Sequence, residues 1–174
     1  PNVYSSITDA IAGSKPGEVI SLDPGHHWED NLIVTKPLRI FGQTDDPSRC
    51  VVELTGALCI KDDPCQVQFS GITIRRPRKV PHVRACLTAI GKTVVSMFTC
   101  VVNNEGASGY AIFATSGATL QLYGCSVRGG AKGGLSSLGS TLFAAHCTFS
   151  HNNGSGIRVL EGVVYIDNSY VSNN

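Results

Sequence analysis

The stretch LQLYGCSV, residues 120–127, decides how the chain is read, because its layout returns on both sides of it. Leu120, Leu122, Cys125 and Val127 are apolar, and Gly124 stands where the backbone must turn inward before Cys125. Val67, Phe69, Ile72 and Ile74 fit the same template, with Gly71 at the turn. Val95, Met97, Cys100 and Val102 fit it too, then Leu142, Ala144, Cys147 and Phe149, then Val164, Ile166, Ser169 and Val171. The residue after the turn gives a register, Ile72, Cys100, Cys125, Cys147 and Ser169, with spacings of 28, 25, 22 and 22.

An element that returns every 20 to 30 residues marks a solenoid. A leucine-rich repeat needs an L-x-x-L-x-L core and an Asn at a fixed offset, and no rung supplies them. What recurs is period-two alternation, the pattern of a half-buried strand. A second marker follows nine residues after the register position: Gly109, Gly134 and Gly156, each preceding an apolar residue, Tyr110, Leu135 and Ile157. Each coil therefore reads strand, turn, strand, turn, strand, which is an all-β parallel β-helix of about six coils stacked at roughly 4.8 Å. Cys100, Cys125 and Cys147 are expected to form one interior column.

Composition agrees with a fold made of turns: 19 of 174 residues are Gly. No apolar run approaches the length of a membrane span, so no membrane partner is expected. Pro1 is not a natural start, which leaves room for an upstream leader. The chain has seven cysteines and no C-x-x-C pair, so the stacked thiols read as small buried hydrophobes and an intracellular location, cytoplasm or nucleus, is expected. Asn153-Gly154-Ser155 is a glycosylation sequon that would matter only in a secreted chain. The net charge of +1 is unevenly spread: residues 1–63 hold five Lys/Arg against ten Asp/Glu, and residues 64–174 hold nine against three. The two ends should present opposite potentials to a partner.

At the N-terminus, Ile7, Ala10 and Ile11 share one helical face, Ser6 and Asp9 form a short capping box, and Gly13 is the expected stop. Such a helix, near residues 6–12, would cover the apolar end of the first coil. The whole chain then divides into residues 1–33, capping helix and first strands, and 34–174, the coils, within one domain spanning 1–174. Its end at Ser172-Asn173-Asn174 tracks Ser150 to Asn153 and lacks the strand that should follow, so a longer solenoid is expected.

Ile7, Ala10, Ile11, Gly17, Ile20, Leu22, Pro24, Gly25, Glu29, Leu32, Val34, Lys36, Pro37, Leu38, Ile40 and Gly42 carry a resemblance. Residues 5–42 resemble the opening of right-handed parallel β-helix proteins of the pectin-lyase-like superfamily, in which this pattern caps the helix and forms the first coil. With its cysteine-bearing rungs, the chain is most similar to the eukaryotic interaction group, the β-helix F-box proteins and the Shc SH2-domain-binding proteins. That resemblance implies a non-catalytic scaffold that recognises a protein partner. Other members of the superfamily cleave pectin, which keeps a carbohydrate-binding or polysaccharide-modifying role open as the alternative.

Catalysis on polysaccharides needs carboxylates brought together from adjacent strands. After Asp63 only Glu105, Glu161 and Asp167 remain, and no two share a rung position. Arg75-x-Pro77 begins the R-x-P-x-x-R signature of pectate lyases, but Val80 stands where the second Arg belongs. Cys50, Cys59, Cys65 and Cys86 are irregularly spaced, and His26-His27 reads as a loop pair, so neither a metal nor another cofactor is expected. Asp45-Asp46 and Asp62-Asp63 read as turn chemistry, and Asn103-Asn104 and Asn152-Asn153 as a stacked Asn turn. The candidate partner-binding segment is the insertion RRPRKVPHVR, where Arg75, Arg76, Arg78, Lys79 and Arg84 place five positive charges with no acid between them. An acidic or phosphorylated peptide is the expected ligand, and nucleic acid is disfavoured because no aromatic residue interleaves with the charges.

Overall fold

A computed structural model of the chain describes residues 2–77, 83–105 and 107–174. Helix α1 (Ile7–Gly13) comes first. The first coil then holds β1 (Val19–Leu22), β2 (Gly25–Glu29) and β3 (Leu32–Val34), and the second β4 (Leu38–Gly42), β5 (Cys50–Leu54) and β6 (Leu58–Ile60). The third holds β7 (Gln66–Ser70), β8 (Thr73–Arg75) and β9 (Ala85–Ile90), and the fourth β10 (Val94–Phe98), β11 (Val101–Asn103) and β12 (Tyr110–Thr115). β13 (Thr119–Tyr123), β14 (Ser126–Arg128) and β15 (Gly133–Leu138) follow, then β16 (Thr141–Ala145), β17 (Thr148–Ser150) and β18 (Ser155–Leu160). β19 (Val163–Asp167) and β20 (Tyr170–Ser172) open a further coil. Every third strand pairs, so the first and second sheets each have seven strands and the third has six. All pairings run parallel, as stacked coils require.

The register is the one the repeats require. Val67, Val95, Leu120, Leu142 and Val164 are successive partners in the first sheet. Backbone bonds from Val101 to Ile72, from Ser126 to Cys100, from Thr148 to Cys125 and from Tyr170 to Cys147, all 2.8 to 3.0 Å, stack the register series itself. The corner between first and second sheets is made by one residue in the left-handed region: Gly71, Thr99, Gly124, His146 and Asn168 have φ between 42° and 62°. Glycine adopts that region at least cost, yet Thr, His and Asn occupy the same corner.

The second glycine marker holds for only two rungs. Gly134 and Gly156 stack, since Leu135 pairs with Ile157, but Tyr110 pairs with Gly133 and Ile112 with Leu135. Twelve positions separate Cys100 from Ile112, against ten from Cys125 to Leu135, so the wider turn puts Gly109 two places early. The spacing of Gly134 and Gly156 has a packing cause: a Cβ on either would meet the side-chain amide of Asn152 or Asn174 at under 3 Å. Those two asparagines form the ladder, with the Asn152 amide donating to Asn174 Oδ1 at 2.8 Å and to Ser150 O at 3.1 Å. Asn104 has a separate place, turned back on Ala107 O at 2.8 Å.

Alternate residues point inward and fill a single elongated core of Ile, Leu, Val, Phe and Cys, with Phe69, Met97 and Phe149 among its largest members. Helix α1 lies against β2 and β3 and buries Ile7, Ala10 and Ile11. Half of the expected capping box forms: the Asp9 amide donates to Ser6 Oγ at 3.0 Å, while the Ser6 hydroxyl, not its backbone N–H, donates to the Asp9 carboxylate at 2.7 Å. Gly13 is the last helical residue instead of the stop; the ring of Tyr4 occupies the space a side chain there would need. Ser14 ends the helix, and Lys36 donates to its carbonyl.

One stretch read as a loop is a strand: His26 and His27 lie on β2. β5 begins at Cys50, directly after a 3-10 turn at Pro47–Arg49 that lies over the second sheet. Among the described residues, no helix is long and apolar enough to cross a membrane.

Candidate functional site

The basic insertion leaves the fold at the end of β8. Arg75 points outward, with its Nε 2.6 Å from Glu105 and its Nη1 4.0 Å from Glu53. Arg76 points the other way and is fully buried, which corrects its expected place on the insertion's surface. Its guanidinium donates to Ala85 O at 3.4 Å and to Ser108 O, tying the start of β9 to the turn before β12, and burial lowers its pKa. The strand period explains the reversal, since successive side chains must alternate between surface and interior. The Arg84 guanidinium lies over Phe113, its Cζ 4.3 Å from the ring centroid. Arg78 and Lys79 lie outside the described residues. Arg75, Arg76 and Arg84 are thus each engaged by this chain's own groups.

A different surface gathers the aromatic side chains. Outward positions of β10, β13, β16 and β19 carry Phe98, Tyr123, Phe143 and Tyr165, all substantially exposed. Phe98 and Tyr123 are lateral neighbours in register, as are Phe143 and Tyr165. The Phe143 and Tyr165 rings stack at 4.9 Å with planes 4° apart, and His146 meets Tyr123 edge-on at 5.3 Å. The four aromatic side chains of the first sheet, with Gln121 and Asp167, line an open groove of about 750 Å³. A Ser96 hydroxyl bond to Gln121, at 2.8 Å, fixes that amide at its edge.

On the second sheet, Trp28, Glu53, Arg75 and Asn103 succeed one another in one outward column. His26 stands on the same strand and face as Trp28, with ring centroids 6.3 Å apart. The third sheet shows Ile33, Cys59, Thr88, Phe113, Ser136 and Arg158 along its central outward column, without a carboxylate. Glu105, Glu161 and Asp167 fall in three different places, after β11, after β18 and at the end of β19. Glu105 and Glu53 nonetheless meet across Arg75, a neighbourhood that rung positions alone conceal.

Cys100, Cys125 and Cys147 are buried free thiols in the expected column. Each Sγ reaches the carbonyl two residues back, at 3.3, 3.4 and 3.2 Å, and Ser169 repeats the contact at 2.8 Å. Hydrogen bonding with Cys125 holds Cys100 below the ordinary thiol value. The same bond, with burial, pushes Cys125 up to about 12, and Cys147 is pushed up through its own bond to Cys125. Burial, with the nearby Asp62 charge, pushes Cys65 up to about 11, and burial pushes Cys86 up to about 12 against the Arg76 charge. Among the described residues, no group of three or more His, Cys, Asp or Glu side chains is placed to hold a metal ion.

Residues 58–174 match the family model described as a right handed beta helix region. No curated protein and no solved structure matches the chain. With three parallel sheets wound in about six coils and a match over more than half its length, the chain belongs to the right-handed β-helix family.

Proposed function

We propose that this chain is a non-catalytic recognition scaffold that holds a partner protein against the outer face of its first sheet. The observation that carries this reading is the exposed row Phe98, Tyr123, Phe143 and Tyr165 on four consecutive rungs. Aromatic side chains concentrate at the centres of protein interfaces, where they bury much area for little lost rotamer freedom. A solenoid suits the task because its faces stay rigid while individual outward positions vary. Within the pectin-lyase-like superfamily this reading fits the eukaryotic interaction group, the β-helix F-box proteins and the Shc SH2-domain-binding proteins. A reducing compartment, cytoplasm or nucleus, suits a chain whose seven cysteines are all thiols.

The basic insertion is a secondary contact in this reading. Arg75 and Arg76 are committed to Glu105 and to backbone carbonyls, so an acidic or phosphorylated segment would meet a smaller positive surface than five charges imply.

One feature favours a carbohydrate as the second reading: the exposed Phe143 and Tyr165 rings stack face to face, and an outer ring face of such a stack is a surface that a sugar ring covers. The two readings separate experimentally. The purified chain, incubated with polygalacturonate, its methyl ester or alginate, is expected to neither bind nor cleave, while capture from homologous cell extract yields a protein lost on Phe143→Ala/Tyr165→Ala. Saturable polymer binding abolished by the same double substitution would favour the carbohydrate reading, and turnover would overturn the non-catalytic one.

A further inference from the structure

The outer column of the second sheet holds a buried carboxylate that pairs with two cationic groups only at long range. Glu53 is only 5% exposed, yet no donor among the described residues lies within hydrogen-bond distance of it. Its nearest cationic atoms are His26 Nδ1 at 3.7 Å and Arg75 Nη1 at 4.0 Å, both beyond a hydrogen bond. Arg75 is drawn instead to Glu105, with its Nε 2.6 Å from that carboxylate. One guanidinium is therefore shared by two carboxylates, and it sits closer to the less buried one. An ionised carboxyl has about four acceptor sites, and those of Glu53 are flanked by two cationic groups but take no hydrogen bond from the described residues.

Beside Glu53 stands the chain's single tryptophan. Trp28 is the direct strand partner of Glu53 and is 66% exposed, a large apolar surface to leave in water. His26, on the same face, stacks loosely against it with planes 28° apart. An aromatic wall next to an under-bonded carboxylate is the chemistry that recognises an organic cation: the ring face attracts positive charge and the carboxylate accepts its protons.

We infer that Glu53, Trp28 and His26 form a binding site for an alkylammonium group, the lysine side chain of a partner peptide. A compact ammonium suits a carboxylate that is only slightly exposed, whereas a planar guanidinium needs both oxygens presented side by side. The lysine stem would lie along the indole face, covering apolar surface that water now touches. Charge acts in the same direction over longer range, because residues 1–63 carry five basic and ten acidic side chains and draw cations to this end. The site is on a different sheet from the aromatic groove and does not depend on it.

Because Trp28 is the only tryptophan, its fluorescence reports the site directly. The chain is titrated with Nα-acetyl-lysine methylamide, and in parallel with the same compound acetylated on its side-chain nitrogen. The expected result is a saturable change at roughly millimolar ligand with the free amine and none with the acetylated compound. Glu53→Gln should weaken that binding at least tenfold. Calorimetry on Trp28→Leu, a surface substitution that leaves the core intact, should show the same loss if Glu53→Gln fails to fold. Absence of a saturable change, an equal response to the acetylated compound, or unchanged affinity in the Trp28 variant overturns the assignment.

Discussion

At the residue scale, the interior column shows why cysteine recurs where it does. Cys125 sits between Cys100 and Cys147 with its thiol bonded to the carbonyl of Tyr123, a small apolar group that still satisfies a backbone acceptor. Cys125→Val keeps the volume and is expected to cost about 1 kcal/mol or less, while Cys125→Arg buries an unpaired charge at a cost on the order of 3–5 kcal/mol. Urea midpoints measure both, and Cys125 in the native chain should resist thiol reagents. The same thiols predict a pH dependence. Cys65, Cys86 and Cys125 rise from an ordinary 9.0 to about 11, 12 and 12, so the folded chain holds protons that the unfolded chain releases. Their contribution is complete below about pH 9 and is lost as pH rises towards 12. The urea midpoint should fall over that range, and fall less in Cys86→Ala/Cys125→Val than in the wild type. Arg76 illustrates the opposite economy: a full charge in the interior, held by two carbonyls. Arg76→Ala should cost about 1.5–3 kcal/mol through those lost bonds, and Arg76→Lys should recover only part, since lysine lacks the planar fork.

At the scale of the element, legibility follows burial. The strands of the first sheet alternate cleanly because one face is core and the other solvent, so Val95 and Met97 or Leu120 and Leu122 announce themselves. β2 does not: His26, His27 and Trp28 are polar or aromatic in succession, since it forms the open end of its sheet under a helix instead of a second coil. β5 hides for the opposite reason, with all five residues buried: the turn at Pro47–Arg49 packs against it, and the His26 and Arg75 side chains flank Glu53. The aromatic groove was present in the sequence but not visible in it. Phe98 and Tyr123 occupy one outward position, Phe143 and Tyr165 another, and only lateral stacking joins the two pairs. Helix α1 is the element whose support reaches furthest: Glu29, on β2, accepts from the Ile7 and Thr8 amides and from the Thr8 hydroxyl at 2.6 Å. Glu29→Ala should cost about 1–2 kcal/mol and raise amide exchange across Ile7–Gly13 before it affects the coils.

For the whole molecule, the coils separate two kinds of surface. The outer face of the second sheet gathers charge around Arg75, and the first sheet presents aromatic rings on four rungs in succession. Neither arrangement is needed to close the core, which is complete from the inward residues alone. Surface composition without a stabilising role is where recognition is free to settle. The most direct test measures the affinity of a captured partner for the wild type and for Phe143→Ala/Tyr165→Ala, alongside the urea midpoint of each. Loss of two interfacial aromatics is predicted to weaken binding more than tenfold while the midpoint stays unchanged. Equal affinity for both proteins would contradict the assignment of recognition to the first sheet.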